Sequence, residues 1–85
     1  MEFMVSASFR IQDQEEMLPF VPQEQTHIHV LQEQGTIQAL YLSADRSHVW
    51  LVMRGESQDE VQKALEAFPF YPYVRELAIV ALFKM

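Results

Sequence analysis

The chain opens with a regular alternation of side chains. Over residues 2–11 every second position is apolar, and the positions between them are small, polar or charged apart from Met4. A period of two is typical of a β-strand with one buried face. Three later runs, residues 36–43, 48–54 and 74–84, predict three further strands. In the last two runs both alternating sets are largely apolar, which indicates that both faces of the sheet are covered.

Two runs with helical spacing separate these strands. Residues 13–34 predict a helix whose regular part begins at about Pro22, because proline suits a first turn and disrupts an interior. Gly35 is a suitable residue to end it. Ser57-Gln58-Asp59-Glu60 is a capping-box pattern, in which the serine and the glutamate satisfy free backbone N–H groups at a helix start. It predicts a second helix over residues 58–68.

The segment Phe68-Pro69-Phe70-Tyr71-Pro72-Tyr73 lies between the second helix and the last strand. It holds four of the ten aromatic residues and two of the four prolines. Each proline fixes φ near −65° and removes a backbone donor, so a helix interior and a central strand are both excluded. We predict a stiff connector that fixes how the last strand enters the sheet.

The predicted element order is β-α-β-β-α-β within one domain, residues 1–85. This order favours a ferredoxin-like α+β sandwich, with a four-stranded antiparallel sheet and two helices on one face. The other face then needs a cover, and a second copy of the sheet would provide it. We predict a dimeric α+β barrel, or a larger homo-oligomer, with a cavity between the two sheets. The residues assigned to that second face include Met4, Trp50, Val52, Leu77 and Ile79.

Composition narrows the classes of partner. The chain carries 12 acidic and 6 basic residues, a net charge of −6, which argues against nucleic acid and against an anionic membrane surface. No run approaches the roughly 20 apolar residues of a membrane span, and the N-terminus lacks the basic region of a signal peptide. We therefore expect a cytoplasmic protein. The absence of cysteine excludes disulfides and thiol nucleophiles.

The chain resembles the muconolactone isomerase-like family of dimeric α+β barrels. The resemblance rests on the opening strand around Phe3 and Val5, on the run from Glu33-Gln34-Gly35 to Gly55-Glu56-Ser57, and on the connector at 68–73. The connector is similar to the family's Leu-Pro-Leu-Phe-Pro-Tyr-Met run. The resemblance implies a proton shift within a small lactone, without metal or cofactor. It also implies an acid–base pair at Glu24 and Arg46. Where the family tends to carry ionisable groups on the first strand, this chain has Met4, Ser6 and Ser8.

Candidate site residues follow from chemistry that a proton shift requires. A positioned acid or base would be Glu24, His27 or His48, and a cation for the anionic ligand would be Arg46 or Arg54. Small or aromatic side chains could line the pocket, namely Ser6, Ser8, Tyr41, Trp50 and Tyr73. Each residue also has a structural interpretation: solvated histidines, surface-paired arginines, serines that leave room for a partner, and aromatic residues in a core or interface. His27 and His29 project in different directions from a helix, so no metal site is expected.

Two functions fit these residues. The first is a cofactor-independent isomerase-like enzyme acting on a small oxygenated or carboxylate-bearing compound. The second is a non-catalytic small-molecule binding or assembly module on the same scaffold, since a fold alone does not determine a function.

Overall fold

A computed structural model describes residues 1–85 and confirms the ferredoxin-like α+β fold. Four strands form one antiparallel sheet in the order β2-β3-β1-β4. They are β1 (Glu2–Phe9), β2 (Ile37–Leu42), β3 (His48–Arg54) and β4 (Val74–Leu82). The helices are α1 (Gln14–Met17), α2 (Val21–Glu33) and α3 (Gln58–Glu66), and the 3₁₀ turns are Ile11–Asp13, Leu18–Phe20 and Tyr71–Tyr73. None of the helices is both long and apolar enough to cross a membrane.

The two longer helices begin and end at the predicted signals. Pro22 lies in the first turn of α2, and Gly35 follows its last turn with φ of +78°. At the start of α3, the Glu60 N–H donates to Ser57 Oγ over 3.1 Å. The Glu60 carboxylate accepts from the Glu56 N–H over 3.4 Å, one residue before the capping serine. These bonds satisfy backbone donors that a helix start leaves free.

The core lies between the sheet and the two longer helices. On β1, Phe3 and Val5 pair with Met53 and Leu51 of β3, so all four side chains point to the same face. Burying each of these side chains contributes about 1.5–3 kcal/mol. The core cluster also includes side chains from β2, α3 and the start of the connector: Ile37, Val61, Leu65 and Phe68.

The opposite face of the sheet carries no helix, and we call it the open face. The strand register corrects the predicted assignment of β4. Leu77 pairs with Ala7 and Ile79 with Val5, so both lie on the helix-covered side and pack against the core. The open face instead receives Ala78 and Val80 from β4. Both alternating sets of β4 are apolar at its centre, so hydrophobicity could not choose between the two faces.

The connector at 68–73 is the compact turn that its prolines predict. The Tyr71 N–H donates to the Phe68 carbonyl over 2.9 Å, and the Tyr73 N–H donates to the Phe70 carbonyl over 2.9 Å. The Phe70 ring meets the Phe9 ring edge-on, with centroids 6.2 Å apart. The connector is thereby held against the end of β1, next to the strand β4 that it introduces.

Candidate functional site

A cavity of about 230 Å³ lies between the helix-covered face of the sheet and α2. Residues of the 11–20 segment and of the connector complete its walls, and we call it the helix-side cavity. Sixteen of its twenty lining residues are hydrophobic, so its few polar groups fix any specific contact with a ligand. These polar residues are Gln14, Glu24, Gln25 and Arg46.

Glu24 is a buried carboxylic acid in the wall of this cavity. It projects from the apolar stripe of α2, and only 7% of its surface is exposed. Its Oε1 accepts a 3.0 Å hydrogen bond from the backbone N–H of Phe70, and no basic group lies within ion-pair distance. Burial raises the pKa of Glu24 from 4.5 to about 7, and the Phe70 hydrogen bond opposes that rise. Near neutral pH both charge states of the carboxyl group are populated, as proton transfer requires.

Arg46 supplies the only positive charge in the cavity wall. It lies in the turn between β2 and β3, with φ of +63°, in the left-handed region that residues with a Cβ rarely adopt. No acidic group pairs with its guanidinium within 4 Å. The charge is therefore free to meet an anionic group of a ligand.

Asp45 organises the turn around Arg46. Its Oδ1 accepts from Ser43 Oγ over 2.8 Å, from the Ser47 N–H over 3.0 Å and from Ser47 Oγ over 2.7 Å. These donors, led by the Ser47 hydroxyl, lower the pKa of Asp45 to about 2. The carboxylate therefore stays ionised at neutral pH. These three bonds hold the turn together beside the cavity although it is exposed to solvent.

The predicted site residues do not meet at one place. Arg46 and Glu24 both line the helix-side cavity. His48 is stacked on Trp50, with ring centroids 5.9 Å apart, and both lie on the open face. The sheet itself separates these two groups. The strand register gives the open face six of the predicted residues: Ser6, Ser8, Tyr41, His48, Trp50 and Arg54.

His27 and Tyr73 lie at neither place. The His27 ring meets Phe68 edge-on at 4.5 Å, and its Nε2 is buried without a hydrogen-bond partner. It borders a shallow groove with Pro22 and Pro69 rather than the cavity. The Tyr73 ring contacts Phe20, with centroids 6.2 Å apart. Their proposed roles in proton transfer and ligand binding stay predictions.

Other lining residues were not singled out from the sequence. Gln14 and Gln25 belong to no motif, and the donor that Phe70 offers is a backbone group that no side-chain pattern reveals. The predicted cavity between two sheets concerned the other face, whereas the single chain has a partly open cavity on its helix side. Glu24 was singled out by the resemblance, and its burial in the apolar wall is a result of the tertiary fold. No three imidazole, carboxylate or thiol groups are placed to hold a metal ion.

The family model for muconolactone delta-isomerase matches residues 1–84. A solved structure of 5-chloro-2-hydroxyhydroquinone dehydrochlorinase from Burkholderia phenoliruptrix AC1100, in complex with 2,5-dihydroxybenzoquinone, superposes with a TM-score of 0.82. The two sequences are 20% identical, and the match covers 98% of this chain and 94% of that chain. This likeness shows a shared fold. No curated protein sequence matches the chain.

Proposed function

Because the chain belongs to the muconolactone delta-isomerase family, we propose that its helix-side cavity binds a small oxygenated compound and that Glu24 moves a proton within it. The observation that carries the proposal is the buried Glu24 carboxyl group with its pKa near 7 in an apolar cavity. A carboxyl group in this state removes a proton from carbon as a base and then returns it as an acid.

The reaction class is an isomerisation by a proton shift. Ionised Glu24 removes a proton from a carbon next to a carbonyl group, and the C–H electron pair moves into the carbonyl to give an enolate. The protonated carboxyl then delivers the same proton to another carbon of the enolate system. Neither step changes the oxidation state of the compound as a whole. The Phe70 N–H donates to Oε1, and no hydrogen bond engages Oε2, which we assign to the proton transfer.

Arg46 suits the negative charge of such a substrate. A guanidinium group binds a carboxylate through two parallel hydrogen bonds, and it also stabilises the charge of an enolate. We propose that Arg46, rather than Arg54, holds the anionic group, because Arg54 lies on the open face.

The size of the cavity limits the substrate. Pockets for drug-sized ligands measure roughly 300–1,000 Å³. At about 230 Å³ the helix-side cavity is smaller, which favours a compound with a single ring. A lactone or hydroxylated ring with one carboxylate satisfies size, polarity and charge together.

Glu24→Gln tests the proposed reaction. Glutamine keeps the oxygen that accepts from Phe70 but cannot carry the proton. A panel of single-ring lactone carboxylates is incubated with the protein in deuterated water, and isomerisation and exchange are followed by NMR. We expect the variant to lose at least about 100-fold in rate, the usual contribution of an acid–base group. His48→Asn, on the open face, is the matched control and should keep the wild-type rate.

A non-catalytic binding module is the second candidate. It is favoured by one observation: Glu24 is the single carboxyl group, and no histidine lines the cavity. On this hypothesis, compounds from the panel bind in the cavity but neither isomerise nor exchange protons with the solvent. This hypothesis would be supported over the enzyme if the compounds bind saturably and their rate of proton exchange is the same with Glu24→Gln as with the wild-type protein.

We also propose that the open face pairs with a second copy of the chain. Its aromatic and aliphatic side chains are accessible to solvent: Tyr41 is 65% exposed, Val80 56% and Trp50 38%. Large apolar patches on a sheet face mark an interaction surface. A pair of sheets would cover them, as the sequence predicts for a dimeric barrel or a larger homo-oligomer.

A further inference from the structure

Arg46 is the one residue other than glycine with a positive φ, +63°. The left-handed conformation brings the Cβ of an L-residue close to its own carbonyl oxygen, and glycine avoids this cost. Turns that require it usually contain glycine, asparagine or aspartate at that position. An arginine there makes the folded state less stable than the same turn with glycine. Strain of this kind is concentrated at functional sites.

The surrounding turn holds the strained residue from both sides. The Arg46 N–H donates to the Ser43 carbonyl over 2.9 Å, and the Ser43 N–H donates to the His48 carbonyl over 3.0 Å. The Asp45 carboxylate accepts hydrogen bonds from the hydroxyl groups of Ser43 and Ser47 and from the Ser47 N–H. On the cavity side, Gln14 Nε2 donates to the Asp45 carbonyl over 2.9 Å. The backbone of Arg46 therefore has little freedom to relax.

Arg46 lines the helix-side cavity, and no acidic group pairs with its guanidinium there. The chain has 12 acidic residues, yet none pairs with Arg46. Leu42 and Val49, from the strands on either side of the turn, are its neighbours in the cavity wall. An unpaired guanidinium beside apolar surface matches a ligand whose ring is apolar and whose end is anionic.

We infer that Asp45 is a positioning residue, which holds Arg46 in the left-handed conformation so that its guanidinium group meets a carboxylate of the ligand at the turn end of the cavity. The inference rests on the proposed function, because it concerns the same cavity. It adds Asp45, on which the preference of Arg46 for an anionic ligand over a neutral one depends. It also explains why a strained arginine occupies a turn in which glycine would be more stable.

The strain is tested by comparing Arg46→Gly with Arg46→Ala in urea unfolding. Both variants lose the guanidinium group, and alanine keeps the Cβ that makes φ of +63° unfavourable. We expect the unfolding equilibrium constant of Arg46→Gly to be at least about fivefold lower than that of Arg46→Ala. Equal constants would overturn the claim that strain is stored at this position.

The positioning role is tested with two probes of equal ring size, benzoate and benzyl alcohol. Binding to each is measured by NMR titration, with the amide signals of residues in the cavity wall as the readout. We expect Asp45→Ala to lower the affinity for benzoate about tenfold and to change the affinity for benzyl alcohol by less than about twofold. Asp45→Asn keeps an oxygen that accepts the same turn bonds, so it should retain most of the benzoate affinity. Arg46→Gly should lose benzoate selectively as well.

The outcomes separate the inference from the proposed function. If the wild-type protein binds both probes and Asp45→Ala weakens both equally, the turn has only a structural role and the inference is wrong while the cavity function stands. The inference is also wrong if Asp45→Ala leaves benzoate unchanged. If the wild-type protein binds neither probe, the proposed function fails and the inference fails with it.

Discussion

The backbone N–H of Phe70 donates a 3.0 Å hydrogen bond to Oε1 of Glu24, across 46 positions of sequence. The bond joins the aromatic connector to α2 at the wall of the helix-side cavity. It also gives a buried carboxylate its only hydrogen-bond donor, because no basic side chain reaches Glu24. The segment that fixes the entry of β4 therefore also fixes the orientation of the proposed proton carrier.

The raised pKa of Glu24 predicts a specific dependence of stability on pH. Below 4.5 the carboxyl group is protonated in both the folded and the unfolded state. Between 4.5 and about 7 the unfolded chain loses the proton first, so the free energy of unfolding falls as pH rises. Above about 7 the loss is complete and amounts to about 3 kcal/mol.

Glu24→Gln removes this dependence, since glutamine does not titrate. We expect the stability of the variant relative to wild type to increase by up to about 3 kcal/mol between pH 4.5 and 8. Urea unfolding at several pH values measures the difference. Glu15→Gln, an exposed residue in α1, is the control. A flat difference between wild type and Glu24→Gln would contradict the burial of this group.

The same ionisation predicts a pH–rate profile for the proposed isomerisation. Removal of a proton from carbon requires the ionised carboxylate, so kcat/KM should rise about tenfold per pH unit below pH 7 and level off above it. Initial rates between pH 5 and 9 provide the profile. A midpoint near 4.5, the ordinary value, would contradict the raised pKa of Glu24.

A side chain at position 55 should overpack the core. A Cβ at this buried position would lie 2.9 Å from Cγ2 of Val61 in the core cluster. Gly55→Ala should therefore lower the free energy of unfolding by about 1–3 kcal/mol. Val61→Ala removes the methyl group that the new Cβ would contact. The double variant should therefore lose less free energy of unfolding than the two single variants lose together. Strict additivity in urea unfolding would exclude this contact as the cause.

The proposed pairing of two sheets predicts an effect of charge on the open face. Trp50→Arg would place a charge among apolar side chains that the second copy covers, so it should shift the protein from dimer to monomer. Val30→Arg, at an exposed position of α2, is the matched control and should leave the mass unchanged. Light scattering at micromolar concentration measures both. A wild-type mass of 10.0 kDa, that of one chain, would refute the pairing.

Local patterns predicted the elements of this fold well. The strand His48–Arg54 has the predicted bounds, and the capping box at Ser57 begins α3 as expected. Both signals are local, because they depend on side-chain period and on backbone donors within four residues. The side of β4 that faces the helices could not be predicted in the same way. Both of its alternating sets are apolar, and only its pairing with β1 decides between them.

The candidate site was predictable in part. The resemblance to the family singled out both Glu24 and Arg46 as an acid–base pair, and both line the cavity. The position of the cavity depends on the irregular 11–20 segment, whose apolar residues follow no period. The donor from Phe70 is a backbone group brought near by the tertiary fold. Neither leaves a pattern in the sequence.

The central strand β1 belongs to both sides of the sheet. Ala7 lines the cavity, while its neighbours Ser6 and Ser8 point to the open face. Under the two proposals, ligand binding and self-association place their requirements on alternate residues of one short segment. A substitution at Ala7 should therefore change the cavity without changing the open face, and a substitution at Ser6 or Ser8 should do the reverse.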